Sequence, residues 1–348
     1  MLDTVLAESP DVGCSSRGPL SEALLRVLTG ECGREDLSAL AHRAIERASD
    51  VVADDDVQLG LFLLYASSYG SLPQILPELE WDLDLIAARR ILEESFELVL
   101  RERVPVPDLP AATAADVSRS LFALTSADAG PSLARYLSKQ ASAEQAREFL
   151  IQRSIYTLRE ADPHSWAIPR LHGRPKAALV EIQADEYGGG RPDRVHAEIF
   201  ARAMRGAGLD DRYGGYLDVV PALTLASHNL MSMFGLNRRL IGAIVGHLAA
   251  FEMTSSIPSR MSGDGLRRLG FGAEVTDYFD EHVEADAVHE QIAGRDLAGS
   301  LAEDRPELLP DIMFGAAAYL TVEGWTSSHI LEAWNRGASS LRAEDEER

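Results

Sequence analysis

Apolar residues recur at three- and four-residue spacing along almost the whole chain, the period of a helix with one buried face. This pattern predicts helices over 20–28, 36–48, 57–70 and 82–104, then over 114–124, 132–140 and about 142–159. Further helices are expected over about 175–187, 194–207, 237–254, 275–294 and 310–335. Helix starts are expected at Asp193, Asn237 and Thr276, whose side chains suit an N-cap. Period-two alternation and hairpin turn pairs do not occur, nor does an internal repeat, so the fold class is all-α. The segment VPVPDLP (104–110) holds three prolines and cannot continue a helix. It divides residues 1–107, expected to be a helical scaffold or dimerisation region, from a second region over 108–340, with a charged tail at 341–348.

Charge and composition narrow the partners. The 348 residues hold 33 Lys+Arg against 55 Asp+Glu, a formal net charge of −22. Binding to nucleic acid or an anionic membrane needs clustered cations, so neither partner is expected. Neither Lys139 nor Lys176 follows a phosphate-loop glycine run, and GGG at 188–190 is no dinucleotide fingerprint, being better explained as a hinge. Cys14 and Cys32 stand alone near the start, in segments expected at the surface, which disfavours a disulfide scaffold or thiolate metal site. No leader-like start and no long apolar run is seen, so a cytoplasmic protein is expected.

The sharpest chemical signal is EHVEADAVHE (281–290). His282, Asp286 and His289 stand at i, i+4 and i+7, on one helix face flanked by Val275, Phe279 and Ile292. Buried imidazoles and a carboxylate must be paired or metal-bound, and from this segment alone both readings stay open. Three other apolar rows end in a glutamate: Glu252 after Ile241 and Val245, Glu186 after Leu179 and Ile182, Glu160 after Phe149 and Tyr156. His196 adds an imidazole after the GGGRPD loop. Carboxylates with imidazoles and no thiolates suit iron or manganese. Glu-x-x-His is absent from the chain, so the ferritin-like arrangement does not fit.

The order Glu160, Glu186, His196, Glu252, His282-x3-Asp286-x2-His289 resembles the haem-oxygenase-like di-iron oxidases and oxygenases, the iron-containing redox enzymes. ADPHSWAIPRLHGRPKAALVEIQADEYGGG (161–190) and GHLAAFEMTSS (246–256) are similar to that family's stretches, over about 145–335, closest to its seven-ligand N-oxygenase branch. The resemblance implies a haem-oxygenase-like helical bundle, a homodimer, holding two Fe(II) ions with O2 as co-substrate and no haem. Those seven residues would be the ligands, with a Glu such as Glu186 able to bridge. Their four carboxylates would offset the charge of two Fe(II). A small-molecule substrate is expected, with an external electron donor possible. The implied activity is an oxygenase of specialised metabolism, N-hydroxylating an amine or guanidine of an amino-acid-derived substrate.

Rival readings are a desaturating, fragmenting or decarboxylating oxidase on the same fold, a metal-binding helical protein without turnover, and a cofactor-free or haem-binding relative. Arg153, one face with Glu160, and Tyr156, Tyr187 and Arg260 are candidates for supporting the ligands or touching substrate. His164, His172, His228 and His247 read as capping or packing residues. In residues before Val104 no polar constellation is expected, and Tyr65, Tyr69 and Trp81 read as packing.

Overall fold

The computed structural model describes residues 13–31, 36–127 and 130–343, without the side chains of 284–287. Among the described residues the chain is helical with no strand. The first group of helices is α1 (Pro19–Leu28), α2 (Leu37–Arg47), α3 (Asp55–Tyr69) and α4 (Leu83–Arg103). After the proline-rich connection come α5 (Ala114–Ser126), α6 (Leu133–Lys139), α7 (Ala143–Thr157), α8 (Asp162–Ser165) and α9 (Gly173–Glu186). The remainder is α10 (His196–Gly206), α11 (Ala222–Leu236), α12 (Ile241–Met253), α13 (Ser256–Arg268), α14 (Ala273–Gln291), α15 (Ser300–Asp304) and α16 (Leu309–Asn335). A π-helical stretch, Ile292–Gly299, joins α14 to α15.

Side-chain caps fix several starts: Asp36, Asp54, Asp82, Thr113, Ser132 and Ser142 each accept a backbone N–H of the first turn. Each such cap contributes about 1 kcal/mol. Three expected starts differ. Val195 rather than Asp193 precedes α10, and α14 begins at Ala273, ahead of Thr276. Asn237 flanks a short 3₁₀ turn without capping it; its amide donates to Glu93 and to the Met233 carbonyl. Helices α11 and α13 were not expected. The first is apolar on nearly every face and so lacks periodicity; the second, SIPSRMSGDGLRR, carries the serines, glycines and proline of a loop.

The core centres on α12, buried from Ile241 to Ala250, which lies along α16. Glycine permits the crossing: a Cβ at Gly246 would overlap the Ile312 carbonyl, and one at Gly315 the Ala243 carbonyl. Helix α7 divides its faces, with Ile151 and Ile155 in the main apolar cluster and Phe149 and Leu150 in a second with α10, α14 and the end of α16.

Helices α1–α4 pack into the main cluster through α3 and α11. Their interface is polar in places, contrary to expectation: the Asn229 amide donates to the Gln58 carbonyl and Oε1, both at 2.9 Å, and Glu93 is buried beneath Arg89 and Asn237. Tyr65 and Tyr69 pack inside, whereas Trp81 is 76% exposed, at a turn with no helix face to bury it. Cys14 is buried, not on the surface; Cys32 lies outside the described residues. No single helix among the described residues is long and apolar enough to cross a membrane.

Candidate metal centre

Three candidate ligands stand at helix ends that reach the interior. Glu186 is the last residue of α9, Glu252 the penultimate one of α12, and His196 opens α10; all three are buried. The GGG loop brings His196 round. Gly188, Gly189 and Gly190 all have left-handed φ, and a Cβ at Gly188 would meet the backbone at Arg194 and Val195. Arg194 pairs with Glu281, tying this loop to α14 beside His282. Glu160 lies just beyond α7, in a turn closed by Ala161 at φ 75°, a conformation that strains any residue with a Cβ. Gln183 holds the turn, donating to the Ala161 carbonyl at 2.8 Å and to Ser165 Oγ at 2.7 Å.

Two buried donor groups result. Glu160, Glu186, His196 and His282 offer one ligand atom each, all within 4.8 Å of one another; Glu186, Glu252 and His289 do the same. Glu186 belongs to both. Six of the seven expected residues therefore converge, while the side chain of Asp286 lies outside those described.

Hydrogen bonds outside the groups aim the ligands. His282 Nδ1 donates to the Tyr278 carbonyl at 2.7 Å, which turns Nε2 inward, 3.6 Å from Glu160 Oε1. His289 Nε2 lies 3.0 Å from Asp185 Oδ2, which turns Nδ1 inward, 3.5 Å from Glu252 and 3.8 Å from Glu186. The Tyr278 hydroxyl lies 2.8 Å from both oxygens of Glu160.

These surroundings set the protonation. Burial raises Glu160, but His282, His196 and Tyr278 outweigh it and hold the carboxyl below its usual value. Burial pulls His289 down, yet Glu252, Asp185 and Glu186 lift it to about 9. His196 is likewise raised, Glu186 prevailing over burial. Without a metal the site is thus a charged cluster of carboxylates and imidazolium. Its geometry also suits a cation: Glu186 Oε2 and His196 Nδ1 approach to 2.8 Å with neither atom in line for a hydrogen bond. Nitrogen and oxygen donors without thiolate fit iron.

Asp185 and Tyr278 were not singled out from the sequence, although Tyr278 precedes His282 by one helical turn and Asp185 adjoins Glu186. Arg153 and Tyr156 line a pocket of about 100 Å³ beside the centre, with His228, Phe251, Tyr319 and Glu323. Phe251 adjoins Glu252, and the Tyr156 hydroxyl accepts the Ala161 N–H at 3.4 Å. Tyr187 instead bonds Ser165 and Asp162 at the outer edge of the Glu160 turn. Arg260 is exposed on α13 and belongs to neither group. His164 and His247 form a buried pair at 3.2 Å, in line with a packing role.

A family model described as iron-containing redox enzyme matches residues 147–324, just over half the chain and all six converging residues. The nitrosourea synthase of Streptomyces achromogenes subsp. streptozoticus is 29% identical over 176 residues, covering 50% of this chain and 37% of that protein.

Proposed function

Because the chain belongs to the iron-containing redox enzyme family, with its haem-oxygenase-like helical fold, we propose that this iron-dependent redox enzyme binds two Fe(II) ions and uses O2 to oxidise a small molecule at an amine or guanidine nitrogen. The observation that carries the reading is the pair of buried donor groups sharing Glu186. One iron would be held by Glu160, Glu186, His196 and His282, the other by Glu186, Glu252 and His289, with Asp286 one turn from each histidine on the same helix. Ions held there would supply electrons for O2 reduction.

The protein's own residues do the rest. Tyr278 and Asp185 fix the orientation of Glu160, His282 and His289, so the donor set is assembled before metal arrives. Burial of every described donor keeps bulk water from the centre. Tyr156, Phe251 and Tyr319 line the adjoining pocket, where a substrate would lie. Likeness to a nitrosourea synthase supports oxidation at nitrogen. A homodimer, in which α1–α4 form part of the interface, completes the proposal.

The test loads the full chain anaerobically with Fe(II), mixes it with O2 while watching for a transient visible absorbance, and then supplies candidate amines under 18O2. Rapid O2 uptake and label in the product are expected. No iron-dependent O2 uptake would leave a metal-binding protein without turnover, and an oxidised but unlabelled product would shift the reading to desaturation.

A further inference from the structure

The pocket beside the donor groups is lined mostly by side chains that a metal site does not need. Arg153 comes from α7, His228 from α11 and Glu323 from α16, so three of the helices that line the pocket bring a guanidinium, an imidazole and a carboxylate to it. Arg153 and Glu323 carry opposite charges, yet no ion pair joins them among the described residues. Glu323 accepts a hydrogen bond from Ser227 on one oxygen only. Arg153 has its guanidinium 5.7 Å from the Phe149 ring and interacts with the Tyr278 hydroxyl and Glu160, while its Nε, though buried, lacks a hydrogen-bond partner among the described residues.

Two further lining groups are more than nine-tenths buried and have no hydrogen-bond partner among the described residues: Thr157 Oγ1 and His228 Nδ1. A buried polar atom left without a partner costs of order 1–3 kcal/mol. Three such atoms in one pocket, with two unlike charges held apart, are the arrangement of a site whose partners arrive with a ligand. Phe149, Phe251 and Tyr319 supply the apolar walls between the polar ends.

We infer that this pocket recognises a small molecule bearing both an acid group and a cationic nitrogen. The acid is held by Arg153, with Thr157 and His228 as additional donors, and the nitrogen by Glu323. That this ligand is the molecule oxidised rests on the di-iron reading; that it binds does not. Arg153 and Glu323 are on this account the residues that set specificity, rejecting molecules with either charge alone.

The test is calorimetry on the full chain, iron-loaded and anaerobic, with 6-aminohexanoate, hexanoate and hexylamine as probes of like length. The doubly charged probe should bind roughly tenfold or more tightly than either singly charged one, the value of a charge-assisted hydrogen bond. Arg153→Gln should weaken 6-aminohexanoate and hexanoate but not hexylamine; Glu323→Gln should weaken 6-aminohexanoate and hexylamine but not hexanoate. Glu323→Gln should bind as much iron as the parent. Three equal affinities, absence of saturable binding, or an Arg153→Gln variant that loses iron while its probe affinities stay unchanged would overturn the inference. Probe binding that follows this pattern in a protein that never reduces O2 would uphold the pocket and remove the di-iron oxidation reading alone.

Discussion

Iron binding should release protons, and His289 sets the amount. In the metal-free protein its imidazole is lifted to about 9 by Glu252, Asp185 and Glu186 against the opposing effect of burial. At pH 7 the protonated form therefore outweighs the neutral one by about a hundredfold, a gap of about 2.7 kcal/mol. A metal needs the Nδ1 lone pair that this proton occupies, so binding at pH 7 must first remove it. Apparent affinity of the Glu186–Glu252–His289 group should rise about tenfold per pH unit from pH 7 to about 9 and then level off. His196, also raised, adds to the proton count at the other group. Anaerobic calorimetry of Fe(II) binding at pH 7, in two buffers of different ionisation heat, measures the release directly. At least one proton per chain is predicted. Binding that released none and kept the same affinity from pH 7 to 8.5 would show that His289 is not a ligand or is already neutral.

The same shift has a consequence for folding: with its folded-state value raised, His289 stabilises the metal-free protein fully below about pH 6.5 and progressively less as pH rises through 9. Chemical denaturation of the metal-free chain should show that loss, which the exposure of Asp185 will moderate.

Other predictions concern single residues. His289→Ala should leave close to one iron per chain, whereas Glu186→Ala, touching both groups, should leave less, by colorimetric iron assay with helicity retained in circular dichroism. Asp185→Asn should weaken the second iron by about 10–100-fold, measured in the same calorimetry, because the imidazole loses its orienting carboxylate. Gly246→Ala should destabilise the fold by at least about 1–3 kcal/mol in urea denaturation, since its Cβ forces α12 away from the Ile312 carbonyl. An unchanged midpoint would mean that α12 and α16 are not held so closely.

Much of the centre was legible because burial and polarity conflict along single helices. Glu186 and Glu252 stand where the apolar rows of α9 and α12 demand a hydrophobe, and His282 and His289 share one face of α14. Glu160 was found the same way, although it sits past the end of α7 in a turn whose left-handed Ala161 leaves no trace in composition. Periodicity says nothing of a residue placed by another helix, which is why Asp185, exposed on α9, and Tyr278, an aromatic among aromatics, passed unnoticed. Arg260 lies apart from both groups for the converse reason: nearness to Glu252 in sequence ends at the break between α12 and α13. Helix α11 escaped because a segment buried on all sides has no polar face to mark its period.

The central claim is that two irons share Glu186, and Mössbauer spectroscopy with parallel electron paramagnetic resonance tests it most directly. The chain is loaded anaerobically with 57Fe(II), the iron is counted, and the sample is then oxidised. Two irons per chain, coupled through a common bridge so that the oxidised centre gives no resonance signal, are predicted. A single iron per chain with the resonance of an isolated high-spin ferric ion would contradict the account.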